Sequence, residues 1–227
     1  QSVVKDLSTG AYSRGDGIGS DDVVIQINGE TENRNTFTYG EKVNFIFNNI
    51  TGLTREEGKV YPGLSLFLIK NKKDTILSNS DLLDNLNDGT DLSPLQLHAN
   101  FTSVFPFKNS EKYKAYIKIW DKKGDGSFTY ELPFTIEENK LLQITSKDLA
   151  YSDIYLWNDA AKQVVVDKNV SSANALILIL EGLDGMGIVD SKVYPIFSID
   201  LIDNKGNQIL SNPNVLSEYE KSGIDYE

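Results

Sequence analysis

One stretch of this sequence occurs twice. Lys59-Val60-Tyr61-Pro62 runs on through Leu68-Ile69-Lys70-Asn71-Lys72 to Ile76-Leu77-Ser78-Asn79. Lys192-Val193-Tyr194-Pro195 runs through Leu201-Ile202-Asp203-Asn204-Lys205 to Ile209-Leu210-Ser211-Asn212. The offset of 133 holds without a gap from 59/192 to 83/216, and 14 of the 25 aligned pairs are identical. A unit this long exceeds the roughly 20–50 residues of solenoid repeats. The repeat therefore argues for tandem globular domains, and 227 residues suffice for two cores of ordinary size.

Between the repeats the pattern has period two. Val23, Ile25 and Ile27 alternate with polar residues and end at Asn28-Gly29, a hairpin-turn pair. Val43, Phe45 and Phe47 alternate with asparagines, and Leu64 to Lys70 is nearly continuous in apolar character. Asn71-Lys72-Lys73-Asp74 turns the chain into Thr75-Ile76-Leu77, and the second copy has Asn204-Lys205-Gly206-Asn207 there. A helical pattern follows in both copies. Asn212-Pro213 then Val215, Leu216 and Tyr219 read as a capped short helix ending near Gly223, matched by Asn79, Leu82, Leu83 and Leu86. Three further strands follow in the first copy: Leu95–Phe101, Tyr113–Trp120 and Phe128–Ile136. The fold class expected is all-β: two tandem immunoglobulin-like β-sandwich domains, each with one short helix crossing between strands.

The boundaries expected are a flexible, glycine-rich segment at 1–20, a first sandwich at 21–139, with Glu137 to Lys140 as linker, and a second at 140–227. The second domain lacks a counterpart of residues 95–137. The plain expectation is a fragment of a longer chain. Completion by a partner's strands and a shorter, differently closed domain are the alternatives.

The formal net charge is −11 with a pI near 4.6. That excludes the basic footprint of a nucleic-acid binder and disfavours anionic membrane surfaces. The absence of cysteine excludes disulfides, zinc-thiolate sites and thiol nucleophiles. No apolar run reaches the ~18 residues of a transmembrane segment. No catalytic set emerges, so the chain reads as not an enzyme, with no cofactor and no metal. The one histidine, His98, falls on the polar side of its strand beside Gln96 and Asn100. Asp121-Lys122-Lys123-Gly124-Asp125-Gly126 mimics part of a calcium loop but carries Lys123 and Leu132 where ligands are needed, so a hairpin turn explains it better. Asp184 to Asp190 bends in a similar way, without matching polar groups at Thr51 to Glu57. Arg14-Gly15-Asp16 matches the integrin-recognition tripeptide in what reads as a loop.

Aromatics are the better lead to a ligand. Tyr116 and Trp120 fall opposite the core side of their strand with Lys114 and Lys118, and Tyr155 and Trp157 fall opposite Ile154 and Leu156. These four are the candidate ligand-binding residues, as stacking platforms for sugar rings; packing against a neighbouring element is the plainer explanation.

A glycine- and serine-rich start, an acidic cysteine-free body and sandwiches rich in Asn, Lys, Ile and Tyr resemble the mature part of Gram-negative surface lipoproteins. The hairpin Leu201-Ile202-Asp203-Asn204-Lys205-Gly206-Asn207-Gln208-Ile209-Leu210 is of a type common in their immunoglobulin-like modules. The resemblance implies a secreted or cell-surface location, outer-membrane anchored through a lipid on a residue preceding Gln1. It implies a non-catalytic interaction or spacer protein, with a protein partner or a polysaccharide at the cell surface. The alternative is a glycan-binding surface protein; a hydrolase comes third.

Overall fold

The computed structural model describes residues 1–226 apart from Phe105, Ser110, Lys168 and Ser172. It separates into two units. Unit 1 comprises Gln1–Leu142 and Tyr155–Ile177; unit 2 comprises Gln143–Ile154 and Leu178–Glu227.

Unit 1 contains β1 (Ser2–Lys5), β2 (Tyr12–Asp16), β3 (Asp22–Ile27), β4 (Glu30–Thr31), β5 (Thr36–Thr38), β6 (Lys42–Asn48), β7 (Arg55–Glu56), β8 (Lys59–Val60), β9 (Pro62–Lys70), β10 (Asp74–Asn79), β11 (Leu97–Thr102), β12 (Lys112–Asp121) and β13 (Ser127–Glu137). The larger sheet has the order β1-β2-β13-β12-β9-β10, with β5 also pairing β13; the smaller has the order β11-β6-β3-β4. Period-two patterning dictates which faces meet. Phe128, Tyr130, Leu132, Phe134 and Ile136 of β13 are buried, as are Leu97, Ala99 and Phe101 of β11. The faces close on each other through rings: Phe45 lies 5.9 Å from Tyr130 and Phe47 lies 6.2 Å from Phe128. Unit 1 is thus a two-sheet sandwich. The β3–β4 turn holds Asn28 and Gly29 at φ 51° and 90°, the left-handed pair that a two-residue hairpin requires.

The first twenty residues are not a tether. β2 pairs with β1 on one edge and β13 on the other, and Ala11 and Ile18 enter the core. The Asp6 carboxylate closes the β1–β2 turn by accepting from the Ser8 N–H at 2.8 Å and the Thr9 hydroxyl at 2.9 Å. Arg14-Gly15-Asp16 consequently lies inside a paired strand, with Gly15 buried, where a loop was expected. Residues 155–177, expected in the second domain, group with unit 1 because Val164 and Val165 are buried there and the Asn139 side-chain amide donates to the Val165 carbonyl at 2.7 Å.

The remaining strands are β14 (Asp153–Asn158), β15 (Gln163–Val164), β16 (Leu176–Glu181), β17 (Lys192–Val193), β18 (Ile199–Ile202), β19 (Gln208–Asn212) and β20 (Ile224–Asp225). β14 lies between β15 and β16 in one sheet, β17 pairs β20, and β18 pairs β19. The two expected helices reduce to turns. The second copy keeps a single 3-10 turn, Ser217–Tyr219, and the first has no helix over 79–89. The cause is local. The Asp81 carboxylate accepts the N–H groups of Leu64 (3.2 Å) and Leu83 (2.9 Å), offering the backbone an alternative to the helical ladder. At the same offset, the Asn214 side-chain oxygen accepts from Phe197 (3.4 Å) and Leu216 (3.0 Å). Backbone bonds recur too: the Leu82 N–H donates to the Leu64 carbonyl at 2.6 Å, and the Val215 N–H to the Phe197 carbonyl at 2.8 Å.

Candidate functional site

The four aromatics flagged by the sequence fall into two separate pairs, both within unit 1. Tyr116 and Trp120 stand on the outer face of β12. In the sheet register Tyr116 faces Phe67 and Glu131, and Trp120 faces Gly63 and Ser127. Both rings are half-buried and already engaged. The Lys114 ammonium sits 5.2 Å from the Tyr116 ring centroid and 3.1 Å from the Glu131 carboxylate. The Trp120 ring lies against Gly63, so close that a Cβ added there would stand 2.0 Å from the ring. Gly63 therefore gives the indole its seat, and cross-strand packing accounts for this pair.

Tyr155 and Trp157 alternate on β14 and so share a face. That face borders a cleft of about 340 Å³, lined also by Lys42, Thr102, Lys162 and Gln163. One wall is fixed by two close approaches. The Tyr155 ring packs 5.8 Å from the Tyr39 ring, and Gly40 (φ 96°) lies against Val164, where a Cβ would come within 2.4 Å of the valine side chain. Val164 is held opposite Trp157 by the β14–β15 pairing. Gly40 thus serves both the left-handed turn before β6 and the seating of β15.

Trp157 is half-buried and oriented at its polar edge. Its Nε1 donates to the Asp159 carboxylate at 3.3 Å, and the Lys162 ammonium donates to the same oxygen at 2.7 Å. Those two donors, Lys162 foremost, hold the Asp159 carboxyl below its ordinary range. The edge of Trp157 is pinned, and the residue lines the cleft. Lys42 and Lys162 bring exposed ammonium groups, Thr102 a hydroxyl and Gln163 an amide. Such a concave site with an apolar platform and a few polar groups takes small polar molecules with an apolar face.

Other residues considered from the sequence are absorbed by structure. His98 hydrogen-bonds with Gln96 at 2.8 Å and Asn44 at 3.3 Å on the exposed face of β11. Asp121 is buried, and its carboxylate accepts the N–H groups of Thr54 (2.7 Å) and Lys123 (3.0 Å). Burial pushes that carboxyl up, but the Thr54 and Lys123 donors outweigh it and hold it below its ordinary value. Sequence reasoning named Tyr155 and Trp157 but missed Lys42, Thr102 and Lys162. The Gly40 turn was the only local signal for that wall.

No protein-family model matches the sequence, and no curated protein does. Among solved structures the chain is similar to the C-terminal domain of wzt, at 12% identity and a TM-score of 0.39, covering 63% of this chain and 97% of that one. It is also similar to chicken MD-1 complexed with lipid IVa, at 14% identity and a TM-score of 0.29, covering 59% and 94%. No helix among the described residues is long and apolar enough to cross a membrane.

Proposed function

We propose that this is a non-catalytic binding protein of the cell surface or extracellular space, built from tandem immunoglobulin-like sandwich modules, and that its ligand is a carbohydrate. The observation that carries the reading is the Trp157 cleft: an indole pinned at its edge, beside a second ring and a set of hydroxyl, amide and ammonium groups. Sugar rings present an apolar face that stacks on an aromatic and hydroxyls that need donors and acceptors at the rim. Lys42 brings a positive charge to the rim, while Lys162 is already paired with Asp159, so a neutral or weakly acidic glycan fits the site. The strand order β13-β12-β9 facing β11-β6-β3 supports the immunoglobulin-like reading. A surface lipoprotein is the carrier we favour for it.

The test is titration of the protein with uronate-containing and neutral oligosaccharides by calorimetry. Trp157→Ala is expected to weaken binding about tenfold or more, and Trp120→Ala to leave it within about twofold. The reverse order would move the site to the outer face of β12. No binding by the wild type would leave the spacer or protein-interaction role.

A further inference from the structure

The Trp157 cleft lies at one end of the outer face of the smaller sheet, within unit 1. Val43, Phe45 and Phe47 of β6 and Leu97, Ala99 and Phe101 of β11 are buried in the core, so the residues between them point outward. Lys42 and Thr102 are paired across β6 and β11 on that outer side, and both line the cleft. Two positions further along both strands, about 7 Å away, comes a row of amides. Gln26 of β3, Asn44 of β6 and Asn100 of β11 stand opposite one another there. The outward positions from Asn44 to Asn48 and from His98 to Asn100 include no Lys, Arg, Asp or Glu. The outer face of β12, by contrast, carries Lys112, Lys114 and Lys118, as a face that only has to stay in water does.

The hydrogen bonding on this face is uneven. Beyond the row the side chains close on one another: the Gln96 Nε2 donates to the Asn48 Oδ1 at 2.6 Å, and the Gln96 Oε1 lies 2.8 Å from the His98 Nε2. The Asn44 Nδ2 lies 3.3 Å from the His98 Nδ1, and the Asn44 Oδ1 is buried with no partner among the described residues. Gln26 and Asn100, on either side of it, have no side-chain hydrogen bond among the described residues.

We propose that the amide row Gln26, Asn44 and Asn100 is a second subsite of the Trp157 cleft. The ligand is then an extended, uncharged glycan chain, with one sugar at Trp157 and the next ones over Lys42, Thr102 and the amides. This rests on the carbohydrate reading and specifies it. A side-chain amide offers donors and an acceptor together, and a sugar hydroxyl needs both. Strand spacing of about 4.8 Å sets the three amides side by side, within reach of neighbouring hydroxyls on one chain. Unpaired charges in that place would have to be desolvated beneath an uncharged ligand. The Asn44 oxygen marks the same spot independently. A buried acceptor without a donor costs stability, and a hydroxyl bound over the row supplies the donor once the amide turns outward. The bonds joining Gln96, Asn48 and His98 set the far limit, so the track runs from Trp157 to the amide row and stops there. A protein partner is the wrong occupant, because it would bury an apolar centre and the row presents none.

The test is calorimetry of the full chain with neutral oligosaccharides of glucose, galactose, mannose and N-acetylglucosamine, each as disaccharide and hexasaccharide. In at least one series the hexasaccharide should bind about tenfold tighter than the disaccharide. Gln26→Ala combined with Asn100→Ala should abolish that gain and leave disaccharide binding within about twofold. Trp157→Ala should weaken both lengths. Asn100→Asp, nearly the same in shape, should act in the same direction as Asn100→Ala, so lost folding cannot imitate the result. A hexasaccharide that binds no tighter than the disaccharide, or a gain that survives the double variant, overturns the subsite and leaves the cleft reading standing. A gain lost in Trp120→Ala instead overturns it by placing the chain on β12. Failure of every sugar to bind the wild type overturns the cleft reading, and the subsite with it.

Discussion

Two hairpins in this chain share register, bulge and following turn, yet differ in everything that burial controls. β9–β10 sits in a sandwich, with Leu64, Leu66 and Leu68 sealed from water. β18–β19 has the same pairs and the same side-chain-capped turn, with Leu201 and Leu210 half in solvent. The difference teaches which properties about 25 residues can carry alone. Strand pairing, the bulge and the capped turn are local and persist wherever the stretch occurs. Burial belongs to whatever flanks and faces the stretch, and both β12 beside it and the facing sheet β11-β6-β3 come from elsewhere in the chain.

The largest effect that follows concerns Leu68 and Leu201, which occupy equivalent positions. Leu68→Ala opens a cavity in a closed core and should cost about 2–5 kcal/mol in urea unfolding. Leu201→Ala removes a side chain already 53% exposed and should cost less than about 1 kcal/mol. Equal costs would break the comparison, since they would mean that unit 2 seals Leu201 in solution.

A middle-sized effect tests the local half of the claim. Gly89 (φ 66°) lies under the Tyr61 ring, and Gly223 (φ 68°) lies under the Tyr194 ring, each with room for no Cβ. Alanine at either position is strained in the left-handed region and should cost about 1–2 kcal/mol. Here the two units should agree, because the strain does not depend on covering strands. Exchange of the Val60 amide, which donates to the Thr90 carbonyl, reports the first, and that of Val193, in the β17–β20 pair, reports the second. A penalty confined to Gly89 would show that the turn in unit 2 is held loosely.

Much of this was legible in the sequence, and the failures share a cause. Alternation in Val23–Ile27, Val43–Phe47 and Phe128–Ile136 located strands, because a half-buried sheet face imposes period two on its own residues. The Asn28-Gly29 turn was legible because few pairs tolerate two positive φ values. What failed needed knowledge of distant partners. Arg14-Gly15-Asp16 looked like a loop because glycine and small polar residues carry no pattern, yet β13 offers its edge to that segment. The leucines after Asn79 looked helical, but their spacing is equally served by a turn whose N–H groups Asp81 takes up. Tyr155 and Trp157 were singled out as exposed rings; that they border one cleft with Lys42 and Thr102 depends on Gly40 seating Val164, a contact across more than a hundred residues.

The smallest effect lies in that turn. Asp81 and Asn214 perform the same hydrogen bonding, but only Asp81 titrates. Burial pushes the Asp81 carboxyl up; the Lys122 ammonium at 2.6 Å and the N–H groups of Leu83 and Leu64 outweigh it and leave the pKa below the ordinary 3.8. A carboxyl whose pKa is lower in the folded chain stabilises it above the unfolded value and loses that contribution as pH falls through the folded value. Unfolding of unit 1 should therefore grow easier below about pH 4, and Asp81→Asn should flatten that dependence while keeping the turn, as Asn214 keeps its own. The converse substitution, Asn214→Asp, gives the Phe197 and Leu216 N–H groups a titrating acceptor and should add a weaker dependence of the same kind, since it lacks the Lys122 contact. If Asp81→Asn left the acid limb unchanged, the Asp81–Lys122 contact would contribute nothing.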